Sequence, residues 1–97
     1  MLWMLYSLFT LEINGERLVF EGRDFYSQEE CMNFSTNNII NLNDALIYRL
    51  DRMYGENTYN ILEIGCVQKD NHMNRKVIVN NNTGKETWTK KDIITIF

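Results

Sequence analysis

Residues 1 to 20 read MLWMLYSLFTLEINGERLVF, and the fold turns on how this stretch pairs with itself. Leu2, Trp3, Met4, Leu5, Tyr6, Leu8, Phe9, Leu11 and Ile13 run into Asn14-Gly15, and Leu18, Val19 and Phe20 lead out. An Asn-Gly step between apolar runs supplies the two positive-φ positions of a type I′ turn, so the pattern predicts a β-hairpin. Counting outward from a two-residue turn sets Ile13 against Glu16, Glu12 against Arg17, Leu11 against Leu18, Thr10 against Val19 and Phe9 against Phe20. One face of that hairpin is apolar, and the other carries the Glu12/Arg17 charge pair.

Beyond the hairpin, Glu21-Gly22-Arg23-Asp24 reads as a polar exit and Phe25-Tyr26-Ser27-Gln28-Glu29-Glu30 as a helix start. Ser27 and Glu30 have the spacing of a capping box, in which each side chain satisfies an otherwise orphaned backbone amide. Glu29 and Glu30 also suit the positive end of the helix dipole. The helical pattern runs to Tyr54, with Gly55 placed to end it. Ser35-Thr36-Asn37-Asn38 is poor helix material, and Asn43-Asp44 could cap a second helix, so one bent helix or two are both compatible with it. At 100° per residue Cys31, Phe34, Leu42, Ala45, Leu46, Leu50 and Met53 share a broad arc, and the reading adopted is one continuous helix facing inward on that arc. Ile40, Ile47 and Tyr54, spaced by seven, fall opposite. They make either a widened apolar face or a contact stripe for another chain.

Thr58 to Gln68 alternates as a strand does. Helix rise carries the chain about 36 Å from Cys31 to Gly55, and strand rise carries it about 36 Å back from Gly55 to Cys66. The two cysteines should come level on facing elements, free to form a disulfide or to remain a buried thiol pair. Lys69 to Asn74 reads as a polar connection and Arg75 to Val79 as a fourth strand. Asn80 to Lys85 then forms a loop into a fifth strand at Glu86 to Thr89. Thr89 to Phe97 fits a short helix or a strand equally. The expected fold is one α+β domain over residues 1 to 97. Its mainly antiparallel sheet has the order β-β-α-β-β-β, with the helix on one face, β1 internal and β3 beside it. Leu2, Met4, Tyr6 and Leu8 then point away from the helix, and something must cover them. Either the terminal Ile93, Ile94, Ile96 and Phe97 fold over them, or a second copy does so, most simply across a two-fold axis.

At 97 residues, with 44% hydrophobic and 24% charged residues, the chain is that of an ordinary folded domain. Residues 1 to 70 hold five cations against eleven carboxylates, a balance of −6, whereas residues 71 to 97 hold five against two, a balance of +3. The apolar start has no preceding Lys or Arg, no small-residue cleavage site and too short a span for a bilayer. The expected address is therefore the cytoplasm, with no membrane association, where Cys31 and Cys66 would be thiols.

Catalytic chemistry has little to work with. His72 is the only histidine and sits in a polar turn, so a Ser-His-Asp set or a histidine-rich metal site has at most one imidazole to work with, and the residue reads as a solvated loop histidine. Cys31 near a helix start could have a lowered pKa, but its place beside Phe34 on the apolar arc reads as core. Glu29 and Glu30 are adjacent and cannot converge on one atom. Thr83-Gly84-Lys85 lacks the other parts of a phosphate loop. No catalytic residue, metal site or cofactor is expected. Arg75, Lys76, Lys85, Lys90 and Lys91 accompany Trp88, the ingredients of a nucleic-acid surface, although the acidic remainder would repel phosphate.

The start Met-Leu-Trp-Met-Leu-Tyr-Ser-Leu-Phe, the run Phe-Tyr-Ser-Gln-Glu-Glu-Cys and the later Ile-Gly-Cys-Val together resemble small uncharacterised proteins of tailed bacteriophages, in particular those infecting marine cyanobacteria. The resemblance covers residues 1 to 68 loosely and implies a virus-encoded accessory protein acting inside the host cell, without catalytic residues to transfer. The leading expectation is a small non-enzymatic protein that forms a homo-oligomer, a dimer first, and binds another host or viral protein. Its interface would use Leu2, Met4, Tyr6, Leu8, Ile40, Ile47 and Tyr54. The alternative is a nucleic-acid-binding module on the basic C-terminal hairpin.

Overall fold

The structure, a computed structural model, describes residues 2 to 81. Six elements follow one another: β1 (Trp3–Leu11), β2 (Arg17–Phe25), α1 (Gln28–Asn37), α2 (Ile39–Tyr54), β3 (Tyr59–Gln68) and β4 (Asn71–Asn80). The four strands form one antiparallel sheet in the order β2-β1-β3-β4. The α+β class, the antiparallel sheet and the internal place of β1 are as the sequence predicts. The fifth strand and the terminal element expected at residues 86 to 97 lie outside the described residues.

The hairpin forms with a different turn. Leu11 donates its amide to the Glu16 carbonyl at 2.9 Å, and Gly15 donates to the Leu11 carbonyl at 2.8 Å, so four residues, Glu12 to Gly15, make the loop. Gly15 has φ +68°, whereas Asn14 keeps a negative φ and uses its side-chain oxygen to accept the Glu16 amide at 2.9 Å. Asn14 thus stabilises the turn through its side chain rather than through a left-handed backbone. The pairing moves by two residues, to Phe9 with Leu18 and Thr10 with Arg17. Because strand side chains alternate with period two, a slip of two leaves every residue on its expected face. Phe9, Leu11, Leu18 and Phe20 still face the helices. The Glu12/Arg17 pair does not form: Glu12 lies in the loop and accepts from the Asn60 side chain. The expected polar exit is also strand, with a bulge at Gly22 and Arg23 opposite Leu5.

The helical segment is two helices. Ser27 caps α1 as expected, accepting the Glu30 amide at 3.1 Å. At the other end Asn38 donates both its backbone amide, at 3.1 Å, and its side-chain amide, at 2.8 Å, to the Phe34 carbonyl, with φ −121° and ψ 17°. An Asn that bonds back to the preceding turn offers the backbone an alternative to continuing the helix. The break resets the helical phase. In α2 the buried positions are Leu46 and Leu50, Tyr54 packs against the same cluster, and Ala45 and Met53 are exposed. At 100° per residue this places the inward face roughly 80° from the centre of the arc expected of one continuous helix.

Gly55 ends α2 with φ +95°, and the Thr58 hydroxyl donates to the Tyr54 and Gly55 carbonyls at 3.0 and 2.6 Å. The chain then returns as β3, and the Cys31 and Cys66 side chains meet, with Cα atoms 6.2 Å apart. They are bonded as a disulfide rather than held as the thiols that a cytoplasmic address implies. Lys69 and Asp70 alone make the β3–β4 turn, so β4 starts at Asn71 rather than Arg75. Gly65 lets the two strands close: a Cβ there would lie 2.2 Å from the Lys76 carbonyl oxygen.

Both faces of the sheet are buried. On the helix side Phe9, Leu18 and Ile64 pack with Leu46 and Leu50, while Trp3 and Phe25 pack around the disulfide. On the far side Met4, Tyr6 and Leu8 cluster with Val19, Leu62 and Val67. Met4, Tyr6 and Leu8 are only 1%, 1% and 0% exposed, which removes them from the expected interface and makes them core. β1 is paired at both edges, and these side chains on its far face are buried as well. Leu2, just outside β1, is 37% exposed.

Candidate functional site

The least expected cluster lies in the far-side core. Glu63, within the apolar run of β3, is 1% exposed. The Tyr6 hydroxyl donates to its Oε1 at 2.7 Å, and Arg75 Nε on β4 donates to the same oxygen at 3.0 Å. The Ser7 hydroxyl donates to the Glu63 backbone carbonyl at 3.0 Å. Burial, followed by the hydrogen bond to Glu63, pushes the Tyr6 phenol far above its ordinary pKa. At Arg75 burial works against the charged form, but the hydrogen bond and attraction to Glu63 outweigh it and hold the guanidinium above its usual value. A carboxylate enclosed in this way is paired and closed to solvent, so it ties three strands together and offers no access to a substrate. The signal for it was present in the sequence as a Glu in the middle of Ile61-Leu62-Glu63-Ile64, a charge where a central strand is otherwise apolar.

The expected nucleic-acid set divides. Arg75 is committed to Glu63, Lys76 is exposed on β4, and Lys85, Trp88, Lys90 and Lys91 lie outside the described residues.

The remaining expected contact residues are on α2. Ile40 is 75% exposed and Ile47 37%, while Tyr54 is drawn inward, with its ring 5.9 Å from that of Phe9. Tyr48, beside them on the outer face, is also exposed and accepts a hydrogen bond from Arg52 Nη1 at 2.8 Å. Asp44, Tyr48 and Arg52 stand one above another at four-residue spacing, with Ile40 and Ile47 along one flank. The layer is anchored from below by Tyr59, whose hydroxyl contacts the Ile47 carbonyl at 3.2 Å and Asp51 Oδ1 at 2.6 Å. Burial and the Asp51 hydrogen bond push the Tyr59 phenol up to about 12.

Comparison with protein-family models, curated proteins and solved structures finds no match. The functional reading therefore rests on this chain's own geometry. Among the described residues no helix is long and apolar enough to cross a membrane.

Proposed function

We propose that this chain is a non-enzymatic binding protein that assembles with a second copy of itself through the outer face of α2. The observation that carries the reading is the exposure of Ile40 and Ile47, seven residues apart on a helix that buries Leu46 and Leu50 against the sheet. Two β-branched side chains left in water one above the other are what a helix-to-helix contact uses. A second copy suits the face because its charges are self-complementary. With Tyr48 near a two-fold axis and the helices antiparallel, Asp44 of each copy faces Arg52 of the other. In the setting that the phage resemblance implies, the assembled species would be the one that engages a host or viral protein.

The test is absolute mass by light scattering after size exclusion, over a range of concentrations. A mass that rises to a stable multiple of 11.6 kDa is expected, and the double variant I40E/I47E should return it to that of one chain with an unchanged far-ultraviolet circular dichroism spectrum. A single-chain mass at every concentration rules out the self-association reading.

A further inference from the structure

α1 is held to the sheet chiefly at one point. Its buried residues are Cys31 and Ser35. Cys31 is bonded to Cys66 of β3, and the Ser35 hydroxyl lies 3.7 Å from the sulfur of Cys66. Met32 and Phe34 are half-buried and pack around the same bridge with Trp3 and Phe25. The Phe34 ring centre lies 5.4 Å from that of Phe25, and the guanidinium carbon of the exposed Arg23 lies 5.1 Å from it. Phe34 also forms part of the wall of an apolar cleft of about 320 Å³ between α1, α2 and the β1–β2 hairpin, lined in part by Leu42, Arg23 and Arg49. Among the described residues, the two larger clusters on either side of the sheet contain none from α1. Both ends of α1 are joints: Ser27 is extended before it, and Asn38 breaks it from α2.

We infer that α1 is a redox-held flap, seated over Trp3 and Phe25 while Cys31 and Cys66 are bonded and released when they are thiols, with the sheet and α2 folded in both states. A ten-residue helix is marginal by itself, and Ser35-Thr36-Asn37 weakens it further. Burying two small side chains, with Met32 and Phe34 half-buried beside them, does not offset the conformational entropy of ordering ten residues. The bridge supplies the difference, since it keeps α1 beside β3 and leaves a released helix little freedom to gain. α2 does not depend on it, because Leu46 and Leu50 are buried with Phe9, Leu18 and Ile64. The release is a thiol-disulfide exchange with a dithiol. One thiolate of the dithiol attacks the Cys31 sulfur, the S–S bond breaks, and Cys66 leaves as a thiolate that takes up a proton. The second thiolate of the dithiol then attacks its own sulfur in the mixed disulfide, Cys31 leaves and is protonated, and the reductant departs as a cyclic disulfide. Two electrons and two protons have passed from the dithiol to the bridge. Both cysteines are buried, but Cys31 is the fourth residue of α1, next to the exposed Glu29 and Glu30, so fraying of the first turn opens a path to its sulfur.

The inference is independent of the α2 outer face. It is tested by amide hydrogen exchange, read by mass spectrometry, on the full chain before and after treatment with dithiothreitol in the absence of denaturant, and on the double variant C31A/C66A. Amides of residues 31 to 37 should exchange at least about tenfold faster after reduction, while those of β1, β3 and the turn from Leu46 to Leu50 keep their protection. C31A/C66A should show the released pattern without a reductant. Oxidised glutathione, added once the dithiothreitol is removed, should restore the protection of α1 in the native chain and leave C31A/C66A unchanged. Unchanged exchange of α1 in the reduced chain overturns the inference, since buried thiols would then be enough to seat the helix. Loss of protection in all elements together overturns it too, because the bridge would then hold the whole fold. So does a bridge that dithiothreitol leaves intact, or a released state that oxidation does not reverse.

Discussion

Glu63 shows how one residue can be costly and structural together. Its carboxylate is enclosed by Tyr6 and Arg75 on the two neighbouring strands, and removing one partner leaves a buried charge uncompensated. R75M should therefore destabilise the fold by about 3 kcal/mol in urea denaturation. Adding E63Q to that variant should recover part of the loss, because the residual charge is gone. An R75M midpoint indistinguishable from that of the native chain would show that the pair is not a stabilising contact. The tyrosines make a second prediction. The Tyr6 and Tyr59 phenols are held above their ordinary value of 10, Tyr59 at about 12. In the unfolded chain they lose their protons near pH 10, while in the folded chain they keep them. The unfolded state thus binds fewer protons above that pH, and stability falls as pH rises from 10 towards 12. Denaturation midpoints at pH 9 and pH 11 should differ in that sense. A spectroscopic titration should show Tyr6 and Tyr59 ionising later than tyrosines outside such networks.

At the scale of elements, the hairpin and the helical pair show where local signals succeed and where they stop. Asn14-Gly15 located the turn, but the Asn14 side chain accepts the Glu16 amide and lengthens the loop to four residues. The faces survived because the resulting slip is even. Asn38 ended α1 for a similar reason: its side chain competes for the Phe34 carbonyl. The rise of helix and strand brought Cys31 level with Cys66 in spite of that break, since α1 and α2 both follow the returning course of the chain. The bridge links residues 35 apart and ties α1 to β3. In the chain-entropy account a loop of that length contributes about 4 kcal/mol. Reduction should lower the urea midpoint accordingly, and an alkylating reagent should label neither cysteine of the native protein until a reductant is added. Labelling of both without a reductant would mean that the protein as isolated holds thiols.

For the molecule as a whole, burial on both sides of the sheet decides which surfaces are available. With β1 paired at both edges and buried on both faces, Met4, Tyr6 and Leu8 belong to a core and not to a surface. The exposed large hydrophobic side chains include Ile40, Ile47 and Tyr48 on α2, with Ile13 in the hairpin loop and Tyr26 ahead of α1, and beside the helices lies an apolar cleft lined in part by Arg23 and Arg49. The sequence by itself determined the hairpin, the face of every residue near it, the cap at Ser27, the antiparallel α+β class and the proximity of the two cysteines. These follow from local periodicity and chain geometry, which act over a few residues or along one element. Tertiary structure alone decided the registers, the break at Asn38 and its rotation of the inward face of α2. It also decided the enclosure of Glu63 and the meeting of Arg23, Phe34 and Arg49 around one cleft. The enclosure of Glu63 and the grouping around the cleft depend on contacts between residues far apart in the chain, whereas the hairpin register and the break turn on short-range bonds of the Asn14 and Asn38 side chains that compete with the backbone patterns periodicity predicts.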